Sequence, residues 1–264
     1  MMTNLVDDVG TAHVSIAALP GEPRIVSLVP SLTELLCDLG LTKYLVGRTG
    51  FCIHPSASVQ HIPKVGGTKD VNIEKIRSLA PTHLLVNIDE NEKPTVDTLT
   101  EFIPHVIVTH PLTPRDNLAL YRLLGGIFQA QARAEQLCSE FEQAYAQLIC
   151  PDVGKTMLYC IWQDPWMSVS ANTYIANMLA LIGWQSWQSS SSDARYPVFQ
   201  WSESILQEID GVLLSSEPYR FTQQHVDALE KQLGKPVQLV DGEMLSWYGS
   251  RAIAGLHYLK NLKA

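Results

Sequence analysis

The feature that most constrains this chain is an alternation of short apolar runs with helical segments, interrupted once by a long helical stretch. Runs such as "RIVSLVP" at 24–30 and "HLLVNID" at 83–89 are rich in β-branched residues, and each is followed by a segment with helical periodicity. This alternation predicts an α/β fold with parallel sheets covered by helices. It resumes with "KTMLYCIW" at 155–162, so we expect two Rossmann-like halves.

The long stretch lies at 114–149, where apolar residues recur every three or four positions. One helix of this length would extend about 50 Å at ~1.5 Å per residue. Alternatively, the pair Gly125–Gly126 divides it into two ordinary helices. The predicted organisation is an N-terminal extension (1–22), a first α/β lobe (23–112), a helical connection (113–150) and a second α/β lobe (151–264).

Composition excludes several classes of function. The net charge is −8 and there is no basic run, so nucleic acid and anionic membrane surfaces are not expected as partners. No stretch approaches the roughly 20 apolar residues of a membrane span, so direct membrane insertion is not expected either. The five cysteines are widely spaced and odd in number, which fits a reducing compartment better than a disulfide framework. The N-terminus lacks the basic and apolar regions of a signal peptide. We therefore expect a cytoplasmic protein, with a periplasmic location as the alternative if a leader has been removed.

Aromatic residues gather in three loops of the second half, "IWQDPW", "SSEPYRF" and "EMLSWYGSR". Each loop follows a predicted strand, and ligands of parallel sheets bind where the strands end. Flat aromatic side chains suit a flat ligand. The residues predicted to form one wall of a ligand site are Trp162, Trp166, Tyr219, Trp247 and Tyr248, with Arg251 beside them. Arg251 is expected to meet a carboxylate or amide rim of the ligand, or to pair with Glu217 or Glu243 when the site is empty. The plainer explanation is that some of the tryptophans fill the core.

Two further patterns each have two explanations. In "FCIHP", Cys52 and His54 share a face of an extended segment, so they could form half of a metal site or a thiolate–imidazole pair. The plainer explanation is a loop cysteine and a solvent-exposed histidine. Glu74 and Glu203 each lie in the first turn of a predicted helix, either to complement the helix dipole or to dock a partner.

The order and spacing of "RIVSLVPSLTELLCDLG", "VGGTKDVNIEKIRSLAPTHLLV" and "RYPVFQWSESILQEIDGVLLSSE" resemble the corrinoid-binding proteins of bacterial ABC importers. More broadly, they resemble the substrate-binding proteins with a helical backbone. The resemblance spans residues 24 to 262. It implies two lobes joined by one continuous helix, with the ligand held in a cleft between them. It also implies a corrinoid such as cobalamin as the ligand, no catalysis and no required cofactor.

The resemblance also assigns residues. Tyr196, Trp247, Tyr248 and Arg251 fall in segments that match ligand-lining segments, and "FCIHP" and "GGTKD" place Phe51, His54 and Thr68 opposite them. Glu74 and Glu203 match the one glutamate per lobe that docks onto an ABC permease. Two alternatives remain open: a haem or metal binder that uses Cys52 and His54, and a cysteine-dependent enzyme.

Overall fold

The computed structural model describes residues 5–148, 154–190 and 192–262, which fall into two compact units. The first unit comprises the chain up to Pro111 together with Arg115–Phe141 and Tyr248–Arg251, and the second comprises the rest. Each unit contains a largely parallel sheet, so the prediction of an α/β protein with two lobes is confirmed. The predicted boundary at 150 lies outside the described residues, and the other lobe boundaries stay predictions.

The first unit is built on a four-stranded parallel sheet in the order β2-β1-β3-β4. Its strands are β1 (Ile25–Ser27), β2 (Leu45–Arg48), β3 (His83–Asn87) and β4 (His105–Thr109), and its helices are α1 (Pro30–Asp38), α2 (Ser56–Val59), α3 (Ile73–Ser78), α4 (Lys93–Thr100) and α5 (Asp116–Ile127). β3 is buried along its whole length, as is typical of a parallel strand covered on both faces.

The N-terminal segment covers the outer edge of this sheet. The backbone N–H of Asp8 donates to the carbonyl of Val108 in β4 (3.1 Å), and the N–H of Val108 donates to Oδ2 of Asp7 (3.0 Å). The buried Asp7 also accepts a hydrogen bond from the N–H of Thr11 (2.8 Å). An uncovered edge strand invites pairing with another chain. The segment therefore protects β4.

The predicted helical connection is two helices, because α5 ends at Ile127 and α6 runs over Gln131–Ala146. The chain turns at Gln129, whose φ of 57° lies in the left-handed region that a continuing helix does not allow. A Cβ at Gly125 would lie 2.6 Å from Cβ of Ala134, so the glycine lets α6 approach α5 closely. The expectation of one continuous helix is therefore wrong, and the alternative of two helices is correct.

The second unit is built on a sheet in the order β6-β5-β8-β9, with β7 also paired to β5. Pairing is parallel except between β5 and β6. The strands are β5 (Lys155–Trp162), β6 (Met167–Ser168), β7 (Trp184–Ser186), β8 (Gly211–Ser215) and β9 (Val237–Val240), and the helices are α7 (Tyr174–Ala180), α8 (Glu203–Glu208), α9 (Gln223–Leu233), α10 (Gly242–Ser246) and α11 (Arg251–Asn261). Within the described ranges, none of the helices combines the length and apolarity needed to cross a membrane.

A buried histidine lies at the amino-terminal end of β3. The ring of His83 packs against that of His105, its register partner in β4, with the centroids 4.8 Å apart. The ring of Phe128 meets it edge-on at 5.1 Å. Burial, followed by the nearby His105 and His13, lowers the pKa of His83 to about 4. The folded protein therefore holds this imidazole neutral.

The free energy of unfolding should fall as the pH is lowered from 6.5 to about 4. In this window the unfolded chain binds a proton at His83 that the folded chain excludes, and the shift corresponds to up to about 3 kcal/mol. Above pH 6.5 this contribution is constant. Urea unfolding of His83→Gln should show a shallower pH dependence than the parent across this window. His61→Gln, at an exposed histidine, is the control. If the free energy of unfolding had the same pH dependence in all three proteins, His83 would not be the group responsible.

Candidate functional site

The aromatic loops of the second unit leave its sheet at one edge. β5, β8 and β9 are parallel neighbours, so "QDPW", "SEPYRF" and "DGEM" all begin at the carboxyl ends of adjacent strands, which confirms this part of the prediction. Trp162, the last residue of β5, is 39% exposed. Its ring meets that of the half-buried Tyr219 edge-to-face, with the centroids 5.5 Å apart. We call Trp162 and Tyr219 the second strand-end surface, because both residues belong to the second unit.

Trp166 is half-buried, and its ring packs against the core. Its ring stacks on Phe221 with the centroids 5.9 Å apart and an interplanar angle of 8°, and it meets Trp201 edge-on at 5.4 Å. These rings pack against the apolar cluster that includes Leu214 of β8. The prediction that Trp166 lines the ligand wall is therefore corrected, because its ring seals the end of the sheet.

Trp247 is also buried, and it holds a carboxylate in place. Its indole Nε1–H donates to Oε1 of Glu217 (2.7 Å), and the hydroxyl of Ser246 donates to the same oxygen (2.9 Å). Burial raises the pKa of the Glu217 carboxyl, these two hydrogen bonds lower it, and nearby Glu243 and Asp241 raise it further. Glu217 thus lies at the end of β8 in a fixed orientation, while Trp247 presents little ring surface to a ligand.

Tyr248 and Arg251 are engaged within the first unit. The hydroxyl of the buried Tyr248 donates to Oε1 of Glu90 (3.0 Å). Arg251 donates from Nε and Nη2 to the two carboxylate oxygens of Glu34, at 2.7 Å each. This partner differs from those predicted for Arg251, and a pairing with Glu217 or Glu243 stays a prediction. The Glu34 carboxylate, 217 positions away in the sequence, already neutralises this guanidinium.

Arg251→Met should lower the free energy of unfolding by about 3 kcal/mol, because it leaves Glu34 uncompensated in a site where both side chains are less than 15% exposed. The double variant with Glu34→Leu should recover much of this loss. Arg122→Met is the matched control, since its pair with Glu135 is about half exposed and should contribute less than about 1 kcal/mol. Urea unfolding measures all three. If Arg251→Met lowered the free energy of unfolding no more than Arg122→Met, the buried pair of Arg251 with Glu34 would not contribute as described.

The first unit presents its own apolar surface at the carboxyl edge of its sheet. Phe51 and Ile53 follow β2 and are 62% and 50% exposed, and Ile88 follows β3 and is 46% exposed. The ring of Phe51 lies over Gly67, where an added Cβ would be 3.4 Å from Cε2. We call Phe51, Ile53 and Ile88 the first strand-end surface. Of these three residues, the sequence predicts only Phe51 as a ligand contact, because an isoleucine near a strand usually belongs to the core.

Two other predicted residues flank this surface. His54 and Thr68 are both half-buried. The carbonyl oxygen of Thr68 accepts a hydrogen bond from Nδ2 of Asn91 (2.9 Å), which joins the glycine-containing loop to the loop after β3. The structure therefore brings "FCIHP" and "GGTKD" together at this edge, as predicted.

Cys52 points away from solvent. It is fully buried, with Sγ 3.1 Å from Oγ1 of Thr49. Burial raises the pKa of the thiol, although hydrogen bonds with Thr33 and Thr49 oppose that effect. A nucleophile or metal ligand requires an accessible thiolate, so this environment counts against both alternatives based on Cys52 and His54. Across the parts of the chain that the structure describes, no three His, Cys, Asp or Glu side chains form a metal-binding group.

The remaining predicted residues are Tyr196, Glu74 and Glu203. Tyr196 is half-buried beside Arg195, whose guanidinium carbon lies 5.9 Å from the ring centroid. Glu74 is exposed in the first turn of α3, which Asn72 caps. Glu203 is the exposed first residue of α8, which Ser202 caps. Both glutamates therefore lie on capped, solvent-facing helix starts.

A family model described as "Periplasmic binding protein" matches residues 25–230, most of the chain. The chain belongs to the periplasmic binding protein family. A curated relative is the uncharacterized ABC transporter substrate-binding lipoprotein YvrC of Bacillus subtilis (strain 168). It is 24% identical over 272 residues, which cover 96% of this chain and 83% of that protein.

Solved structures of this family share the fold. The periplasmic vitamin B12 binding protein BtuF of Vibrio cholerae has a TM-score of 0.73 at 17% identity, and the match covers 90% of this chain and 95% of that one. The periplasmic heme-binding protein RhuT from Roseiflexus sp. RS-1, in apo form, has a TM-score of 0.73 at 20% identity, covering 91% and 99%. The same fold thus occurs in proteins named for different ligands.

Family membership makes this chain a non-catalytic substrate-binding protein of the ABC-importer type. The expectation of a cytoplasmic location finds no support among these relatives, which are described as a lipoprotein and as periplasmic proteins.

Proposed function

We propose that this periplasmic binding protein binds a large flat metal chelate, most favourably a corrinoid such as cobalamin, and delivers it to an ABC permease. The observation that carries the proposal is the exposure of apolar side chains in the loops after the sheet strands. Phe51, Ile88 and Trp162 each leave a large fraction of their surface in water. Covering such surface gains roughly 25 cal/mol per Å², so a ligand with an apolar face is stabilised there.

The geometry of the second strand-end surface supports a flat ligand. Trp162 and Tyr219 meet at an interplanar angle of 74°. In an edge-to-face pair, the ring that contributes its edge keeps both of its faces clear of the partner. Stacking on such a face grows with ring overlap, which favours a macrocycle over a small polar solute. The resemblance of the sequence motifs to corrinoid-binding proteins favours a corrinoid, whereas the fold is shared by the vitamin B12 binding protein BtuF and the heme-binding protein RhuT alike.

Titration of the purified protein with cobalamin, cobinamide and haem tests this proposal. Tryptophan fluorescence should be quenched in a saturable manner by both corrinoids, with one ligand per chain. The visible spectrum of the complex separates bound corrinoid from bound haem. Saturable binding of haem, but of neither corrinoid, would show that the flat ligand is a porphyrin. Absence of saturable binding by all three would overturn the proposal of a flat macrocycle.

Two tryptophans four positions apart separate ligand contact from core packing. Trp162→Ala should weaken corrinoid binding by roughly 1–3 kcal/mol and leave the free energy of unfolding nearly unchanged. Trp166→Ala should instead lower the free energy of unfolding by about 3 kcal/mol, because it removes a ring stacked in the core. Isothermal titration and urea unfolding of both variants measure the two effects. The assignment of Trp162 to ligand contact and Trp166 to core packing would be refuted if Trp162→Ala lost stability and Trp166→Ala lost only affinity.

We further propose that Glu74 and Glu203 dock onto the permease. The double variant Glu74→Ala/Glu203→Ala should keep its affinity for the corrinoid and lose binding to the cognate permease reconstituted in nanodiscs. Loss of the interaction with the helix dipole should cost only about 0.5–1 kcal/mol at each position. A variant that loses this stability but still binds the permease would show that the two glutamates only support their helices.

A further inference from the structure

The loops that surround the two strand-end surfaces carry far more acid than base. They are 49–54, 66–70, 88–92 and 110–115 after the strands of the first sheet. After those of the second sheet they are 163–166, 216–220 and 241–243, the last at the start of α10. The carboxylates in them are Asp70, Asp89, Glu90, Glu92, Asp164, Glu217, Asp241 and Glu243, and the basic residues are Lys69, Arg115 and Arg220. The first set thus holds four carboxylates and two cations, and the second set holds four carboxylates and one cation.

Two basic side chains close to these loops already face acids. Arg251 forms its two hydrogen bonds with Glu34, so its charge is already balanced. His110 has Nε2 3.4 Å from Oδ1 of Asp89, so a proton on that ring would pair with an acid that is already present. An anionic ligand rim at the second strand-end surface would therefore meet more like charge than opposite charge.

Two acids lie two residues from the second strand-end surface in the sequence, Asp164 after Trp162 and Glu217 before Tyr219, and of these only Glu217 is half-buried. Ser246 and Trp247 both donate to Oε1, which fixes the plane of the carboxylate. The group is half-buried, so solvent screens its charge less than that of an exposed acid. A carboxylate accepts hydrogen bonds and donates none. The Glu217 carboxylate therefore favours a ligand that presents a hydrogen-bond donor, rather than an acceptor, beside Tyr219.

We propose that the ligand is a macrocycle whose rim carries hydrogen-bond donors such as amide N–H groups and no carboxylates, and that Glu217 enforces this choice. The inference rests on the proposed function, because it assumes that a flat ligand covers the second strand-end surface. A corrinoid with intact peripheral amides satisfies both requirements. A dicarboxylate porphyrin offers the flat face but places two negative charges among the acidic loops. Rim charge, rather than the face of the ring, therefore selects between the two macrocycles.

The test compares cobalamin with its monocarboxylic acids, in which one peripheral amide has been hydrolysed. The macrocycle and the metal are unchanged, so the comparison isolates one charge. At pH 7.5 and low salt, the acids should bind at least tenfold more weakly than cobalamin. The difference should narrow as the salt concentration is raised, since the Debye length falls from roughly 30 Å at 0.01 M to about 10 Å at 0.1 M.

Two outcomes would contradict the inference, and they differ in what they imply for the proposed function. If cobalamin binds and the acids bind equally well or more tightly, the inference about the rim is overturned while the proposed function stands. If neither cobalamin, its acids nor haem binds, the proposed function is overturned and the inference falls with it.

Glu217→Gln tests the role of this residue. The amide oxygen can still accept from Ser246 and Trp247, but the charge is removed. The preference for cobalamin over its acids should fall at least threefold, with the thermal midpoint checked to show that the fold is intact. Glu203→Gln is the matched control, because it removes an exposed acid from the same unit. An unchanged preference in Glu217→Gln, or an equal loss in the control, would overturn the role of Glu217.

Discussion

Burial of both faces of each parallel sheet is the constraint on which the rest of this structure depends. β3 and β8 are buried at every position, so their side chains are committed to packing. Parallel strands also place all their carboxyl ends at one edge, where the chain turns into a loop. Side chains that meet a ligand must therefore lie just beyond the strands, and both strand-end surfaces obey this rule. The acidic loops lie at the same edges for the same reason.

Position relative to the strand end decides whether an aromatic side chain packs or is exposed. Trp162 is the last residue of β5 and keeps 39% of its surface. Trp166 lies four residues later, where the chain has turned back towards β6, and its ring closes the core against Phe221. The two side chains have the same chemistry and lie in the same short sequence. Only the path of the backbone assigns one to the surface and the other to the interior.

The local features of the fold could be predicted from the sequence, whereas the pairings could not. The run "KTMLYCIW" is β5 itself, because β-branched and aromatic residues bounded by polar ones mark a buried strand. β6 and β7 have only two and three residues, too few to show a period. The break at Gln129 arises from packing of α6 on α5, a contact that helical periodicity does not report.

The same limit applies to the site. The clustering of Trp162 and Tyr219 followed from the rule that parallel strands end together. The sequence predicts a ligand contact for Arg251 and misses its pair with Glu34, because Glu34 is distant in the sequence and gives no local signal. Ile53 and Ile88 were missed for a different reason. An isoleucine next to a strand usually belongs to the core, and only the fold shows that these two side chains face water.

Glu217 cannot be understood as a stabilising residue. Burial raises the pKa of its carboxyl despite two hydrogen bonds that lower it, so desolvation and the neighbouring acids outweigh the stabilisation that Ser246 and Trp247 provide. An acid whose pKa is raised on folding costs stability once the pH exceeds the pKa of the unfolded chain. At neutral pH this position therefore weakens the fold relative to a neutral isostere such as glutamine. A donor on the ligand rim would supply the compensation that the protein alone lacks, which links this cost to binding.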